Sequence, residues 1–435
     1  MTPAQPDPGS DAVLGAGALG LTVALRLAQQ GRRVVVYERE PLPGGLAAGF
    51  EIEPGIWLEK FYHHIFRTDR TAKALISELG LGPDLRWHRP TTATLRNERR
   101  WQLDSVPSLL RFGPLAPVDR LRMGAGLAFL RALPGPAPLE GRRAANWIRA
   151  VMGAAAYETV WGPLLVGKFG ATADEIAMPW FWARVHDRTA QLGYLTGGFQ
   201  RLYETLASRI RDAGGDLRMR TTVEAVERGR GGRVVRSTGP DGTTTEEEFG
   251  RVISTLPTRA TCRLVSDLPA DYRARYDWGQ AYGAHCLILA LDRPLTDVYW
   301  LNITDPGFPF MALVEHTNMR DPREYGGRHL VYLGTYRPMS DPIFTTDTEV
   351  LFSMAAPFLA RVNRAFDPSW VTGTWAFGAP FAQPIVTVEY RDHIPPFETP
   401  IPALYVANMF QVYPHDRGQN YSIKLAERLA VELAL

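Results

Sequence analysis

Apolar and polar positions fall into three patterns along this chain. Short apolar runs closed by turn residues read as strands at 11–14, 33–38, 252–256 and 403–407. Apolar residues at helical spacing predict helices over 21–30, 69–79, 144–165, 200–213, 348–365 and 419–433. Runs at regular spacing, at 286–291, 299–303, 310–314 and 330–336, predict four strands of one sheet. Further strands are expected around 217–226 and 233–237, ahead of a turn at Asp241-Gly242.

The order of these elements matters more than their number. Segment 11–85 reads as a βαβ unit, segment 86–189 as mostly helical and aromatic, and segment 190–265 as a return to nucleotide-domain material. Segment 266–369 carries the four-strand sheet and a helix, and 370–435 returns to the first unit with a strand and a final helix. The expectation is an α/β fold: a discontinuous Rossmann-like domain from 11–85, 190–265 and 370–435, and an interleaved α+β substrate-binding domain from 86–189 and 266–369. Residues 1–10 are Pro-rich and polar, and read as a disordered tail rather than a signal peptide.

The first turn carries the strongest chemical signal. Gly15, Gly17 and Gly20 follow the first strand and open the first helix, and Glu38 closes the second strand. Gly15 permits the tight turn, Gly17 lets backbone approach a pyrophosphate, and Gly20 lets the helix lie close to the strand. The helix start offers N–H groups and a positive dipole end to phosphate. A carboxylate at 38 suits a ribose 2′-hydroxyl and repels a 2′-phosphate.

Composition changes this picture little. Of 435 residues 45% are hydrophobic and 22% charged, with net charge +2, so no nucleic-acid partner is expected. Cys262 and Cys286 form neither a CxxC nor a zinc spacing, and the nine histidines show no HExxH set, so no metal is expected. No apolar stretch reaches the length of a membrane span, and a reduced, cytoplasmic setting is expected. Lysine is scarce: Lys60, Lys73, Lys168 and Lys424 are the only four.

Gly15–Gly20, Glu38 and a second glycine pair, Gly44-Gly45-Leu46-Ala47, resemble the two-part FAD fingerprint of the flavin amine oxidase superfamily (a GR2-type FAD domain). That superfamily includes protoporphyrinogen oxidases, phytoene desaturases and UDP-galactopyranose mutases. Gly198-Phe199 and 252–257 resemble its middle FAD-domain segment, and the position matching Val223 contacts adenine through its backbone in relatives. The stretch Glu59 to Thr68, with His63-His64-Ile65-Phe66, is similar to a flavin-side loop of the mutase branch. Trp161-Gly162 followed by Arg184 and Arg188 is similar to the stretch where an arginine grips a substrate diphosphate. Relatives often carry Ala-Gly-Asp after the last strand, where this chain has Ala407-Asn408-Met409, and the Asp-Met-Asp run of the mutases is missing.

The resemblance implies FAD as cofactor and an FAD-dependent oxidoreductase that passes hydride from a substrate carbon to flavin N5. The alternative it implies is a mutase-like non-redox flavoenzyme acting on a sugar nucleotide or lipid-linked sugar. Expected cofactor contacts are Gly15, Gly17, Ala18, Leu19, Gly20, Glu38, Arg39, Gly44, Gly45, Leu46, His64, Val223, Asn408, Met409, Asp416, Asn420, Tyr421 and Ser422. Arg417 lies in the same polar loop. Expected catalytic residues are His64, Lys168 and Arg184, with an imidazole near its ordinary pKa relaying a proton. Arg184, Arg188, Tyr194 and Trp375 are the expected substrate contacts; on a helix the two arginines share one face and suit an anion. Against that anionic reading stands the plainer one, an arginine pair bracing the interdomain contact. The partner is a small-molecule substrate, lipophilic or phosphate-bearing. The apolar stretch 108–139 suits either a buried roof-domain helix or peripheral contact with the inner membrane face.

Overall fold

The computed structural model of the chain describes residues 9–434. Most of the expected tail, residues 1–8, lies outside the described residues, and Ser10 already belongs to the first strand.

A five-stranded parallel sheet forms the first layer, in the order Asp216–Arg218, Arg33–Tyr37, Ser10–Leu14, Arg251–Ser254, Leu404–Val406. Its strands come from three separated parts of the chain. Both faces are covered, which is why these strands read as continuous apolar runs rather than alternating ones. Val13, Val34, Val36 and Ile253 pack against the helices Ala18–Gln29, Gln200–Asp212 and Gln419–Ala434. Ala12, Leu14, Val35, Tyr37 and Val252 face Val226, Val235 and Phe249 of a three-stranded antiparallel meander. Asp11, with no exposure, is forked between Arg32 and Arg251 and pins the foot of the first strand.

A seven-stranded sheet forms the second layer, in the order Val371–Pro384, Ala281–Leu291, His329–Arg337, Ala312–Glu315, Trp300–Ile303, Thr92–Arg96, Arg99–Gln102. All neighbours are antiparallel except Trp300–Ile303 with Thr92–Arg96. The four strands expected from regular spacing all lie in it. Leu287, Leu289, Leu313, Val331 and Leu333 meet the helix Thr348–Val362 on one face. Ile288, Val314, Leu330 and Tyr332 face the first layer. Val371–Pro384 pairs with Ala281–Leu291 and so belongs to this sheet, not to the nucleotide sheet expected from residue 370 onward.

The helix expected over 144–165 is broken. Gly153, at φ +101°, ends Ala144–Val151, and a π turn at Tyr157–Trp161 re-aims the chain into Gly162–Phe169. This break turns Lys168 inward, where it is 6% exposed.

Glu59 locks the layers together. Its carboxylate accepts the Phe199 N–H at 2.6 Å, at the start of the Gln200–Asp212 helix, and the Tyr194 hydroxyl at 2.6 Å. Tyr332 Oη of the second sheet donates to the Glu59 carbonyl at 2.8 Å. Burial, only partly offset by those donors, raises the Glu59 pKa. Replacing Tyr194 by Phe should therefore cost about 1–3 kcal/mol, the penalty for removing a donor from a buried acceptor. Denaturant unfolding checks this; an unchanged midpoint would show that Glu59 does not need the hydroxyl.

Candidate functional site

The glycine turn and the second glycine pair meet backbone to backbone. Gly44 N–H donates to the Ala16 carbonyl at 2.8 Å, and Gly17 pairs with Gly44 as an isolated parallel bridge. A Cβ on Gly20 would lie 2.0 Å from the Gly15 carbonyl oxygen, and one on Gly45 would lie 3.2 Å from Gly17 Cα. Gly15, at φ +102°, takes a backbone conformation that side chains disfavour. Around Gly17 nothing stands within 4 Å of a Cβ position, so the turn keeps one open flank at the helix start.

Glu38 stands at the end of the second strand, 9% exposed. It accepts the Ala16 N–H at 2.7 Å on one oxygen and the Glu40 N–H at 3.0 Å on the other. Each oxygen keeps a lone pair for a hydroxyl donor. On the far side, Gln419 accepts the Tyr203 hydroxyl at 2.5 Å, while its buried amide nitrogen has no partner. Tyr203 itself lies where a Cβ on Gly44 would be, at 2.9 Å. An open glycine turn, a half-used carboxylate and an orphaned amide donor beside the second glycine pair suit a nucleotide diphosphate. The residues present fit FAD.

Several expected cofactor residues are placed at this cradle and others are not. Ala18 and Leu19 start the helix Ala18–Gln29, and Leu46 packs with Ala284, Ala379 and Ala382. Val223 lies at a bulge in Thr222–Arg228, half-buried against the meander core. Met409 sits in a 3-10 turn, and Ser422 N–H closes onto the Gly418 carbonyl. Arg39 instead points outward, pairing with Glu40 at 3.4 Å. The side chain of Asn408 caps the turn Met409–Gln411 and donates to Thr258 at 3.1 Å, so its polar atoms are spent on the fold. Asn420 accepts the Ala72 N–H at 3.1 Å and ties the last helix to Arg70–Glu78. Tyr421 donates to Asp187 at 2.9 Å and stacks on His415, whose Nδ1 meets the same carboxylate at 2.7 Å. That contact clamps the loop before the last helix to the end of Met178–His186.

Asp416 departs furthest from expectation. It is the counter-ion of a cationic cluster. Lys168 Nζ lies 3.0 Å and Arg184 Nη1 3.2 Å from its Oδ2. Arg417, next in the chain, donates to Tyr336 Oη at 2.8 Å and to Gln383 at 3.3 Å. Although burial alone would raise it, Lys168, Arg184, Arg188 and Arg417 hold the Asp416 carboxyl far below its usual range. Arg188 projects over the Phe66 ring at 5.7 Å, and among the described residues its guanidinium has no hydrogen-bond or ion-pair partner. Burial, then its neighbour Arg184, pushes Arg188 down to about 9. Four cations thus surround one carboxylate in a part of the protein largely closed to water. Such an excess calls for an anion.

The histidine expectation changes. His64 Nδ1 meets Tyr299 Oη at 3.2 Å, and burial, then Arg188 and His63, lower its pKa to about 3. The ring is therefore neutral near neutral pH, unlike the expected imidazole near its ordinary pKa. His63 Nδ1 meets the Phe61 carbonyl at 2.6 Å, and burial lowers it to about 4. Tyr194, expected to touch substrate, has no exposure and is committed to Glu59. Trp375 packs with Phe377 on Phe50, 5.6 Å between centroids, rather than with the arginines. Tyr336, Tyr62, Gln383 and Gln419 join these clusters without any motif to announce them, because strands and loops distant in sequence deliver them.

A family model described as flavin containing amine oxidoreductase matches residues 20–415. A Mycobacterium tuberculosis protein named as a flavin-containing monoamine oxidase, AofH, is 26% identical over 309 residues, covering 63% of this chain and 64% of that one. The chain spans less than two thirds of the length of the curated relatives it matches. Among solved structures, one described as a protoporphyrinogen oxidase from Exiguobacterium sp. 255-15 superposes with TM-score 0.77 at 17% identity, over 99% of each chain. A reduced UDP-galactopyranose mutase gives TM-score 0.76 at 15% identity, over 98% of this chain and 95% of that one. At these identities the solved structures establish the fold: a Rossmann-like FAD-binding domain with a second, substrate domain.

Replacing Glu38 by Ala should weaken FAD binding about 10- to 100-fold, the loss of hydrogen bonds to a charged acceptor. Fluorescence of released flavin measures it. Unchanged affinity would remove Glu38 from the cradle.

Proposed function

The chain belongs to the flavin-containing amine oxidoreductase family, and on that premise we propose that it is an FAD-dependent oxidoreductase acting on an anionic small molecule. The cofactor is FAD, which when bound supplies a two-electron acceptor for hydride from a substrate carbon. One observation carries the substrate class: Lys168, Arg184, Arg188 and Arg417 converge around the single carboxylate of Asp416.

In this reading the glycine turn and Gly44-Gly45 hold the diphosphate, Glu38 the ribose, and Gln419 a further acceptor of the cofactor. Arg188, unpartnered, and Arg184, shared with Asp416, orient the substrate anion. Phe66, Trp300 and Tyr299 around His64 exclude water from the reacting carbon. His63 and His64, both neutral, donate or accept hydrogen bonds without adding charge.

Arg184→Ala should raise KM for an anionic substrate about 10- to 100-fold while leaving a neutral analogue nearly unaffected. Equal effects on both would remove the anion assignment. A second reading rests on the same cations: non-redox turnover of a sugar nucleotide or lipid-linked sugar held by its diphosphate. Turnover only after dithionite reduction, with no net electron flow, selects that reading; steady reduction of oxygen or a dye selects the first.

No helix among the described residues is long and apolar enough to cross a membrane. We assign peripheral contact with the inner membrane face to Val106–Leu110 and Pro117–Ala132. Val106, Leu110, Val118, Leu121 and Phe129 are 48–72% exposed there, with Arg111 beside them. The same layer backs onto the arginine helix, Met178–His186, which ends before Arg188, so Arg184 and Arg188 do not share a helix face; in the turn after it Arg131 donates to the Arg188 carbonyl at 2.8 Å. Leu121→Asp combined with Phe129→Asp should abolish sedimentation with phosphatidylglycerol vesicles. Failure of the unmodified protein to sediment would reject the contact.

A further inference from the structure

Tyr336 occupies an unusual place in the second sheet. It is half-buried on His329–Arg337, beside Leu46, the residue after the second glycine pair, in the small cluster of Ala284, Ala379 and Ala382. Its Oη accepts Arg417 Nη2 at 2.8 Å. Lys168 Nζ lies 5.0 Å from its ring centroid and Arg417 Cζ 5.4 Å. A second phenol reaches it from the opposite layer. Tyr62 presses on Gly334, two residues away on the same strand face, so closely that a Cβ there would lie 2.8 Å from its ring. The two phenols lie close enough for each to oppose ionisation of the other.

The groups facing this phenol are few. Lys168 comes from Gly162–Phe169, Arg184 and Arg188 from the arginine helix and the turn after it, Asp416 and Arg417 from the loop before the last helix, and Tyr62 from the loop after Ile56–Glu59. Four are cations and one is an anion. With Asp416 already spent on Lys168 and Arg184, Arg417 is left with Tyr336 and Gln383 as its side-chain acceptors.

We propose that Tyr336 is the titrating group of this cavity, a second acidic oxygen beside Asp416, and that entry of an anionic ligand is coupled to uptake of a proton at Tyr336 Oη. The inference rests on reading the cavity as an anion site, and deepens it by naming the group that sets how tightly each anion binds. Burial works against ionisation of Tyr336, but Arg417 and then Lys168 overcome it and hold the phenol below the ordinary tyrosine range. Tyr62 is pushed well above that range by burial, then by Tyr336, and stays neutral. A ligand anion among the same cations competes with the phenolate for their field. It raises the proton affinity of Tyr336, and a proton from solvent neutralises the oxygen. The sign follows directly. Below the pH at which the empty site loses its proton, anion affinity is greatest; above it, affinity falls up to tenfold per pH unit, until the pH at which the occupied site ionises.

The test uses the FAD-loaded protein and inorganic pyrophosphate. Ultraviolet difference titration should show one tyrosine ionising below the ordinary value of about 10. Tyr336→Phe should lose that transition, and Arg417→Gln should move it to higher pH; the second variant decides the matter should the first not fold. Calorimetry in two buffers of different ionisation heat should show proton uptake on pyrophosphate binding, up to one per site, absent from Tyr336→Phe. Superimposable titrations of wild type and variant would overturn the proposal. Pyrophosphate failing to bind at all would instead overturn the anionic reading of the cavity, and the ligand-free titration would still judge the ionisation of Tyr336.

Discussion

The structure depends on two stretches of backbone approaching too closely for any side chain between them. Gly20 over Gly15, and Gly45 over Gly17, bring the first helix, the first strand and the second glycine loop into one compact corner. In the proposed reading that corner is where a diphosphate rests, with Glu38 and the unpartnered amide of Gln419 as its side-chain neighbours. No favourable contact energy explains the arrangement so directly as the absence of atoms does. A single methyl at Gly20 would overlap a carbonyl oxygen and push the helix off the sheet.

From that corner the rest of the site follows by layers. The second sheet brings Tyr336 to Leu46 and, through Gly334, to Tyr62. The broken helix after Gly153 turns Lys168 inward, and the loop before the last helix delivers Asp416 and Arg417. Asp187, held well below its ordinary range by His415 and His186 against the opposing effect of burial, clamps that loop to the arginine helix. One carboxylate therefore positions the loop, while another, Asp416, holds the cations together against their mutual repulsion. The outer face of the same helical layer carries exposed apolar side chains, so the cationic wall and this apolar face lie on opposite sides of one layer.

The sequence reading and the structure agree where local backbone geometry dictates residue type. Gly15, Gly17, Gly20 and Glu38 were legible because a tight turn, a close approach and a ribose each demand a specific chemistry at a specific spacing. The chemistry of Lys168, Arg184 and Arg188 was legible only as charge; what they gather around, Asp416, was read as a cofactor contact because a polar loop before a helix suits phosphate as well as it suits arginine. The Asn408 and Asn420 amides show a related ambiguity: an asparagine amide caps a turn or ties two helices as readily as it meets a ligand, and here both make such contacts within the fold. Tyr336, Tyr62 and Gln419 carry no local signal, since strand pairing and layer packing alone decide what a phenol or an amide faces.

The most direct test of the central claim is a crystal structure of the FAD-bound protein. The account predicts the diphosphate against Gly17 and Gly45, the ribose on Glu38, and the flavin ring opening onto the cavity walled by Lys168, Arg184, Arg188 and Tyr336. A cofactor bound elsewhere, or a ring separated from those cations by packed side chains, would contradict it.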